Sequence, residues 1–253
     1  MKALLVVLAA CSGSKTTPKA VNEDAKVGSA HVPTDAAVPV DPNGKGDVQL
    51  RVEWKDVPAV ARAAPGRTAC GTARMPAVAP TVLWGIPDVF VAIDVAGSGG
   101  HGPQRITLGD CTLMPRVAIA NGTLTIASAM QAPAKLTVQR AGQLPLGGAV
   151  KEDKPRELYL PIAGHEVEVA LEAGSIYRIA AGDESAWVVA TDNRWVAITE
   201  ASGNVVLHDV PAGPHQAAAW LPARSGQPAR IAKVTVNVVP GALAEVTLDL
   251  TKQ

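Results

Sequence analysis

From Asp47 to its end this chain repeats one pattern, a short run in which apolar and polar residues alternate, closed by glycine, proline, asparagine or aspartate. In the first run Val48, Leu50, Val52 and Trp54 alternate with Gln49, Arg51 and Glu53. A period of two, carried by β-branched and aromatic side chains, places the two sets on opposite faces of a strand. The same reading predicts strands over Val89–Val95, Arg116–Ala120, Thr123–Ala127, Lys135–Gln139, Glu166–Leu171, Ser175–Ala180, Ala186–Thr191, Trp195–Thr199, Val205–His208, Gln216–Leu221, Ile231–Val239 and Leu243–Leu250. Helical periodicity is scarce. Prolines at 58, 65, 76, 80 and 87 limit any helix between Val57 and Pro87 to one or two turns. Twelve or more short strands with turn residues between them predict an all-β sandwich.

With 253 residues, 47% of them hydrophobic, the chain can bury a core in one large or two small domains. Lysine plus arginine and aspartate plus glutamate number 23 each. That balance leaves no net field to recruit nucleic acid or an anionic membrane surface. Beyond the first residues no apolar run reaches the roughly 18 residues of a membrane helix.

The chain opens with Lys2, the apolar run Ala3–Leu8, and then Leu8-Ala9-Ala10-Cys11. A basic start, a short apolar core and small residues before a cleavage point have the form of a secretory signal. Because a cysteine stands at the cleavage point, the stretch resembles the lipobox of bacterial lipoproteins. The resemblance implies a signal peptide over residues 1–10 and acylation of Cys11, with palmitate among the chains, so that lipid is the sole membrane contact. It also implies a place in the cell envelope. Ser12 and Gly13, standing where an inner-membrane retention aspartate can occur, favour the outer membrane, on its periplasmic or surface face. Residues 11–46 lack aromatic side chains and mix prolines with charges of both signs, which predicts a disordered tether. A coil of that length reaches on the order of 30 Å. His31 lies in it and is expected to be solvated.

With Cys11 committed to lipid, Cys70 and Cys111 remain. An oxidising compartment favours a Cys70–Cys111 disulfide, with two buried thiols as the alternative.

Two stretches resemble known families. Residues 191–213 run from Thr191-Asp192 through Gly203-Asn204 to Val210-Pro211-Ala212-Gly213, and Trp220 follows in the next strand. With Pro240-Gly241 before the last strand, this stretch resembles the carboxypeptidase regulatory-like (transthyretin-like) domain. Glycine and asparagine at 203 and 204 suit a tight hairpin turn, and 211–213 a second turn. Upstream, Ile106 to Ala120, with Cys111 and Pro115, then Gly122 and Leu124-Thr125-Ile126, resembles the plastocyanin-like cupredoxin domain of methylamine-utilisation type. The two resemblances imply a cupredoxin-like sandwich over 47–190 followed by a smaller regulatory-like sandwich over 191–253.

The copper ligands of that family are not matched. Residues 128–135 read SAMQAPAK and 178–184 read RIAAGDE, where the family places its histidine, cysteine and methionine ligands. A blue-copper centre needs a thiolate and two imidazoles close together. The expectation is a sandwich with the copper site lost and no cofactor.

Other chemistry is weakly supported. Cys111 and Met114 are soft donors, but His165, His208 and His215 stand far along the chain, and a zinc site needs three or four convergent ligands. Gly97–Gly102 reads as a loop, because no helix follows it to cradle a phosphate. Ser98, Ser175, Ser185 and Ser202 lack a nucleophile-elbow context. Asp183, Glu184 and Asp192 read as solvated loop carboxylates, with calcium as the alternative. Trp54, Trp84, Trp187, Trp195 and Trp220 are expected to fill the core, with Trp84 or Trp195 as a possible sugar platform in a second reading. The sequence thus points to a lipid-anchored envelope protein with a non-catalytic binding or scaffolding body and an unknown envelope protein or glycan partner. The alternatives are a periplasmic metal-handling or electron-transfer protein with shifted ligands, and a surface carbohydrate-binding module.

Overall fold

A computed structural model describes residues 44–251, apart from residues 100, 103, 147–152 and 225. The signal segment, Cys11, His31 and most of the expected tether lie outside the described residues. In chain order the first elements are β1 (Lys45–Glu53), the one-turn helix α1 (Ala59–Arg62) and β2 (Phe90–Ile93). Nine strands follow: β3 (Gln104–Gly109), β4 (Thr112–Met114), β5 (Val117–Ala120), β6 (Thr123–Ser128), β7 (Ala134–Gln143), β8 (Arg156–Leu160), β9 (Glu166–Ala170), β10 (Ser175–Ala181) and β11 (Glu184–Ala190). The last five are β12 (Val196–Ile198), β13 (Asn204–Pro211), β14 (Gly213–Leu221), β15 (Arg230–Val238) and β16 (Leu243–Asp249). The fold is all-β, as the alternation predicts. No helix of the described residues is long and apolar enough to cross a membrane.

The strands form four sheets, with orders β13-β1-β16, β12-β2-β14-β15, β5-β11-β10-β7-β8 and β4-β3-β6-β9. Period-two alternation sorts their side chains among three cores. Val48, Leu50 and Val52 of β1 meet Val91 and Ile93 of β2 and Ala217, Ala219 and Leu221 of β14, which joins the first two sheets into one sandwich. Ile106 and Leu108 of β3 and Leu124 and Ile126 of β6 meet Leu136, Ile179 and Val188, which joins the other two sheets into a second sandwich. Between the sandwiches lies a third core of Phe90, Val117, Ile119, Leu146, Ile176, Trp187, Val189, Val196 and Trp220. A strand covered on both faces needs a continuous apolar run. Phe90-Val91-Ala92-Ile93, Val117-Ala118-Ile119-Ala120 and Ala186-Trp187-Val188-Val189-Ala190 are such runs. In β11 Trp187 and Val189 face the middle core, while Ala186, Val188 and Ala190 face the second sandwich.

Strand pairing crosses the boundary expected at 190/191. β1 pairs antiparallel with β13 and parallel with β16, and β2 pairs with β12 and β14. The first sandwich is therefore built from both ends of the described chain, with residues 104–190 inserted between them as the second. Local alternation reports which residues are buried and not which strand lies beside which, so this arrangement was not readable from it. Gly203 takes the positive φ of +81° expected of a turn, whereas Asn204 already belongs to β13. Pro211–Gly213 turns the chain from one sheet of the sandwich into the other, because β13 and β14 lie in different sheets.

Trp187 and Trp220 meet edge-on across the middle core, with ring centroids 5.5 Å apart at 90°. This geometry sets the positive ring edge of one indole against the electron-rich face of the other. Trp220→Ala should destabilise the protein by about 3–5 kcal/mol. Chemical denaturation followed by near-ultraviolet circular dichroism will show the loss as a lower midpoint and a weakened tryptophan signal.

Candidate functional site

The face that β12, β2, β14 and β15 turn toward the middle core is graded in side-chain size. One cross-strand row reads Ile198, Phe90, Trp220 and Ile231, and it is filled by large rings. The next row reads Val196, Ala92, Ala218 and Lys233. Beyond it the face turns polar, where the Asp94 amide donates to the Gln216 carbonyl at 2.9 Å. Alanines where the neighbouring row has Phe and Trp cannot reach the opposing sheet, and a cleft of about 310 Å³ opens over them. Its far wall is the segment Leu144-Pro145-Leu146 that follows β7.

Asp94, Asn193, Gln216 and Lys233 supply the polar groups of this cleft. Asn193 is committed to the fold, since its amide donates to the Ile93 carbonyl at 3.3 Å and its side-chain oxygen accepts from the Trp195 amide at 2.9 Å. Asp94 and Lys233 have no ion-pair partner among the described residues. A mostly apolar cavity with a few free polar groups at its mouth is the usual form of a small-ligand site. The sequence reading missed this cleft. The signal that could have found it is size rather than polarity, as the middle-core residues of β2 and β14 change from Phe90 and Trp220 to Ala92 and Ala218.

The sequence-predicted residues lie elsewhere. Cys70 and Cys111 are joined, with their sulfurs 2.04 Å apart. Cys70 sits at the tip of a small hairpin over residues 66–74, closed by the Thr68 amide to Thr72 and the Arg74 amide to Gly66. Cys111 lies in the β3–β4 turn, where Asp110 and Cys111 both take positive φ. A cavity of about 320 Å³ opens beside the bridge, lined by Leu108, Met130 and Pro133 with Arg74 and Lys135. Asp183 and Glu184 belong to this region and are held by Arg74, at 2.9 and 3.5 Å, rather than grouped with Asp192.

The histidines and soft donors are dispersed. The His208 Nδ1 lies 3.0 Å from the Asp47 carboxylate, whereas the His215 Nε2 lies 2.7 Å from the Pro211 carbonyl. Met114 is exposed, and it is Met130 whose sulfur accepts the Cys111 amide at 3.3 Å. Among the described residues no three of His, Cys, Asp and Glu come together in a metal-binding arrangement. Ser175 is fully buried in β10, and the Ser202 hydroxyl caps the Asn204 amide at 3.2 Å. Gly97 and Ser98 form part of a loop, where a Cβ at Gly97 would strike the Trp195 ring. Trp54, Trp187, Trp195 and Trp220 are buried, and the Arg230 guanidinium covers Trp54 at 4.0 Å from the ring centroid. Trp195 is buried and donates its indole N–H to the His208 carbonyl, so it offers no exposed face as a platform. Trp84 departs from the core expectation and is 38% exposed.

Among the described residues three ionisable groups are shifted. Burial pushes the Arg224 guanidinium down to about 9, with the charge of Arg116 adding to the effect and Asp88 opposing it. Burial lowers Arg116 also, while Asp88 and Glu184 act the other way. The Asp47 carboxyl is held below its ordinary value by the hydrogen bond from His208, and then by the Asp209 amide.

No family model, curated protein or solved structure matches this chain.

The bridge spans 41 residues of sequence, so its loss releases a large loop in the unfolded chain. Replacing both Cys70 and Cys111 by serine should lower stability by about 2–4 kcal/mol. Urea denaturation gives the loss, and alkylation of the unreduced protein should label neither residue. A carboxyl with a lowered pKa favours folding above its unfolded value, and that benefit fades as pH falls through the folded value. His208→Ala should accordingly move the Asp47 midpoint back up toward the ordinary aspartate range, read by carbon-13 carboxyl titration.

Proposed function

We propose that this chain is a lipid-anchored envelope protein whose body binds a small amphipathic ligand without catalysis. The single observation that carries the binding reading is the alanine-floored cleft with Asp94 and Lys233 at its mouth, neither in an ion pair with another described residue. Its floor is apolar enough to shed water from an aliphatic or aromatic group, while the carboxylate and the ammonium stand ready for polar ends of either sign. A nucleophile paired with a base is not part of this arrangement, so retention rather than turnover is the chemistry it supports. The anchoring part rests on Lys2, the apolar run and Cys11, which resemble a lipobox, and the outer membrane is the location that Ser12 and Gly13 favour. Descent from cupredoxin and carboxypeptidase regulatory-like domains is proposed on the motif residues alone.

A second reading has one observation of its own. Trp84 lines an open groove with Pro76, Val78 and Pro80. An exposed indole beside prolines is a surface on which a sugar ring can stack, so a glycan partner is the alternative occupant of this protein.

Filling the cleft separates these readings. Ala218→Leu adds side-chain volume over the alanine row, and it should abolish binding of an apolar fluorescent probe such as anilinonaphthalene sulfonate while leaving the fold intact. Unchanged probe binding in that variant would remove the cleft as the site. Cys11→Ser should release the protein from membranes and eliminate incorporation of labelled palmitate, measured by fractionation and metabolic labelling.

A further inference from the structure

A second opening lies on the seam between the sandwiches. It is a groove of about 370 Å³ lined by Arg178, Ser185 and Trp187 of β10 and β11 and by Arg224 and Gln227 after β14. The Trp187 indole N–H donates to the Ala223 carbonyl at 3.1 Å, which ties the two walls together.

The charge here is unbalanced. The Arg224 side chain is only 5% exposed, with one terminal nitrogen on the Asp88 carbonyl at 3.1 Å and the other 3.8 Å from the Asp88 carboxylate. Its Nε has no acceptor among the described residues. Asp88 must also offset Arg116, a task it shares with Glu184, and Arg116 lies near enough to push against Arg224. Arg178 is exposed and has no acidic partner among the described residues. Among the described lining residues the one carboxylate, Asp183, is taken by Arg74 at 2.9 Å. A guanidinium withdrawn from water and poorly paired is costly to keep, and its field is weakly screened by the surrounding protein. The Ser185 hydroxyl and the Gln227 side-chain amide add neutral donors whose hydrogen bonds are not spent on other described residues, the Gln227 backbone N–H alone being used, on the Arg224 carbonyl at 2.7 Å.

We propose that this groove binds a tetrahedral oxyanion, a phosphate or sulfate group, held directly by Arg178, Ser185 and Gln227 with the buried Arg224 supplying the field behind them. Arginine matches such oxygens through its planar fork of donors, and charge-assisted hydrogen bonds of this kind are about twice as strong as neutral ones.

The test titrates the full protein with inorganic phosphate at constant ionic strength, with chloride as the reference, following the Trp187 indole signal by nitrogen-15 NMR. Saturable movement of that signal is expected, with a rise in Tm of about 3–6 °C at ten times the Kd. Arg224 is buried and its replacement endangers the fold, so Arg178→Gln is the decisive variant. It should weaken binding about tenfold or more and leave the phosphate-free Tm unchanged. A phosphate monoester in a parallel titration separates the sources. Tighter binding of the ester assigns the group to a larger molecule, whereas equal binding assigns the free ion. A response that matches chloride, or identical binding by Arg178→Gln, overturns the proposal.

Discussion

The edge-on contact of Trp187 with Trp220 is the point at which two sandwiches become one body. Each indole belongs to a different sandwich, and each sits in a sheet that is covered on both faces there. Such sheets cannot dispose of a polar side chain on either face without burying it, which is why β2, β5 and residues 186–190 of β11 are apolar throughout. Polarity returns only where this core runs out. At one margin it gives Asp88, Arg116 and Arg224, and at another Asp94, Gln216 and Lys233. Both proposed sites are thus edges of the same apolar layer, one where rings give way to alanines and one where charge is trapped against it.

The hairpin over 66–74 shows a different means of attachment. Of its residues only Thr68 is buried, so apolar burial cannot hold it against the second sandwich. It is fixed instead by the bridge to Cys111, by Arg74 on Asp183 and Glu184, and by the Arg116 guanidinium donating to the Pro76 carbonyl at 2.9 Å. A covalent link that limits the unfolded chain does here what a core does elsewhere.

The strands were legible where alternation was clean or where apolar runs were unbroken, as in β1, β2, β5 and β11. Thr112–Met114 and Arg156–Leu160 escaped notice, the first because three residues carry no period and the second because its apolar members are only Leu158 and Leu160 with an exposed Tyr159. The bridge was legible from compartment chemistry rather than from pattern. The cleft was not, since a count of apolar residues treats Ala218 and Trp220 alike. Arg224 was invisible for a related reason, because nothing local distinguishes a buried arginine from a solvated one.

The position of β1 carries a mechanical consequence. It lies between β13 and β16, and its ladder to β16 is parallel over seven residue pairs from Asp47 to Glu53. Any force arriving from the N-terminal side enters at Lys45 and acts along the strand, so it loads two ladders of hydrogen bonds in shear rather than opening them one at a time. The strand nearest the proposed anchor is also the one gripped on both sides, by β13 and β16. Under the proposed anchoring, a pull on the tether would first meet a strand held along its whole length.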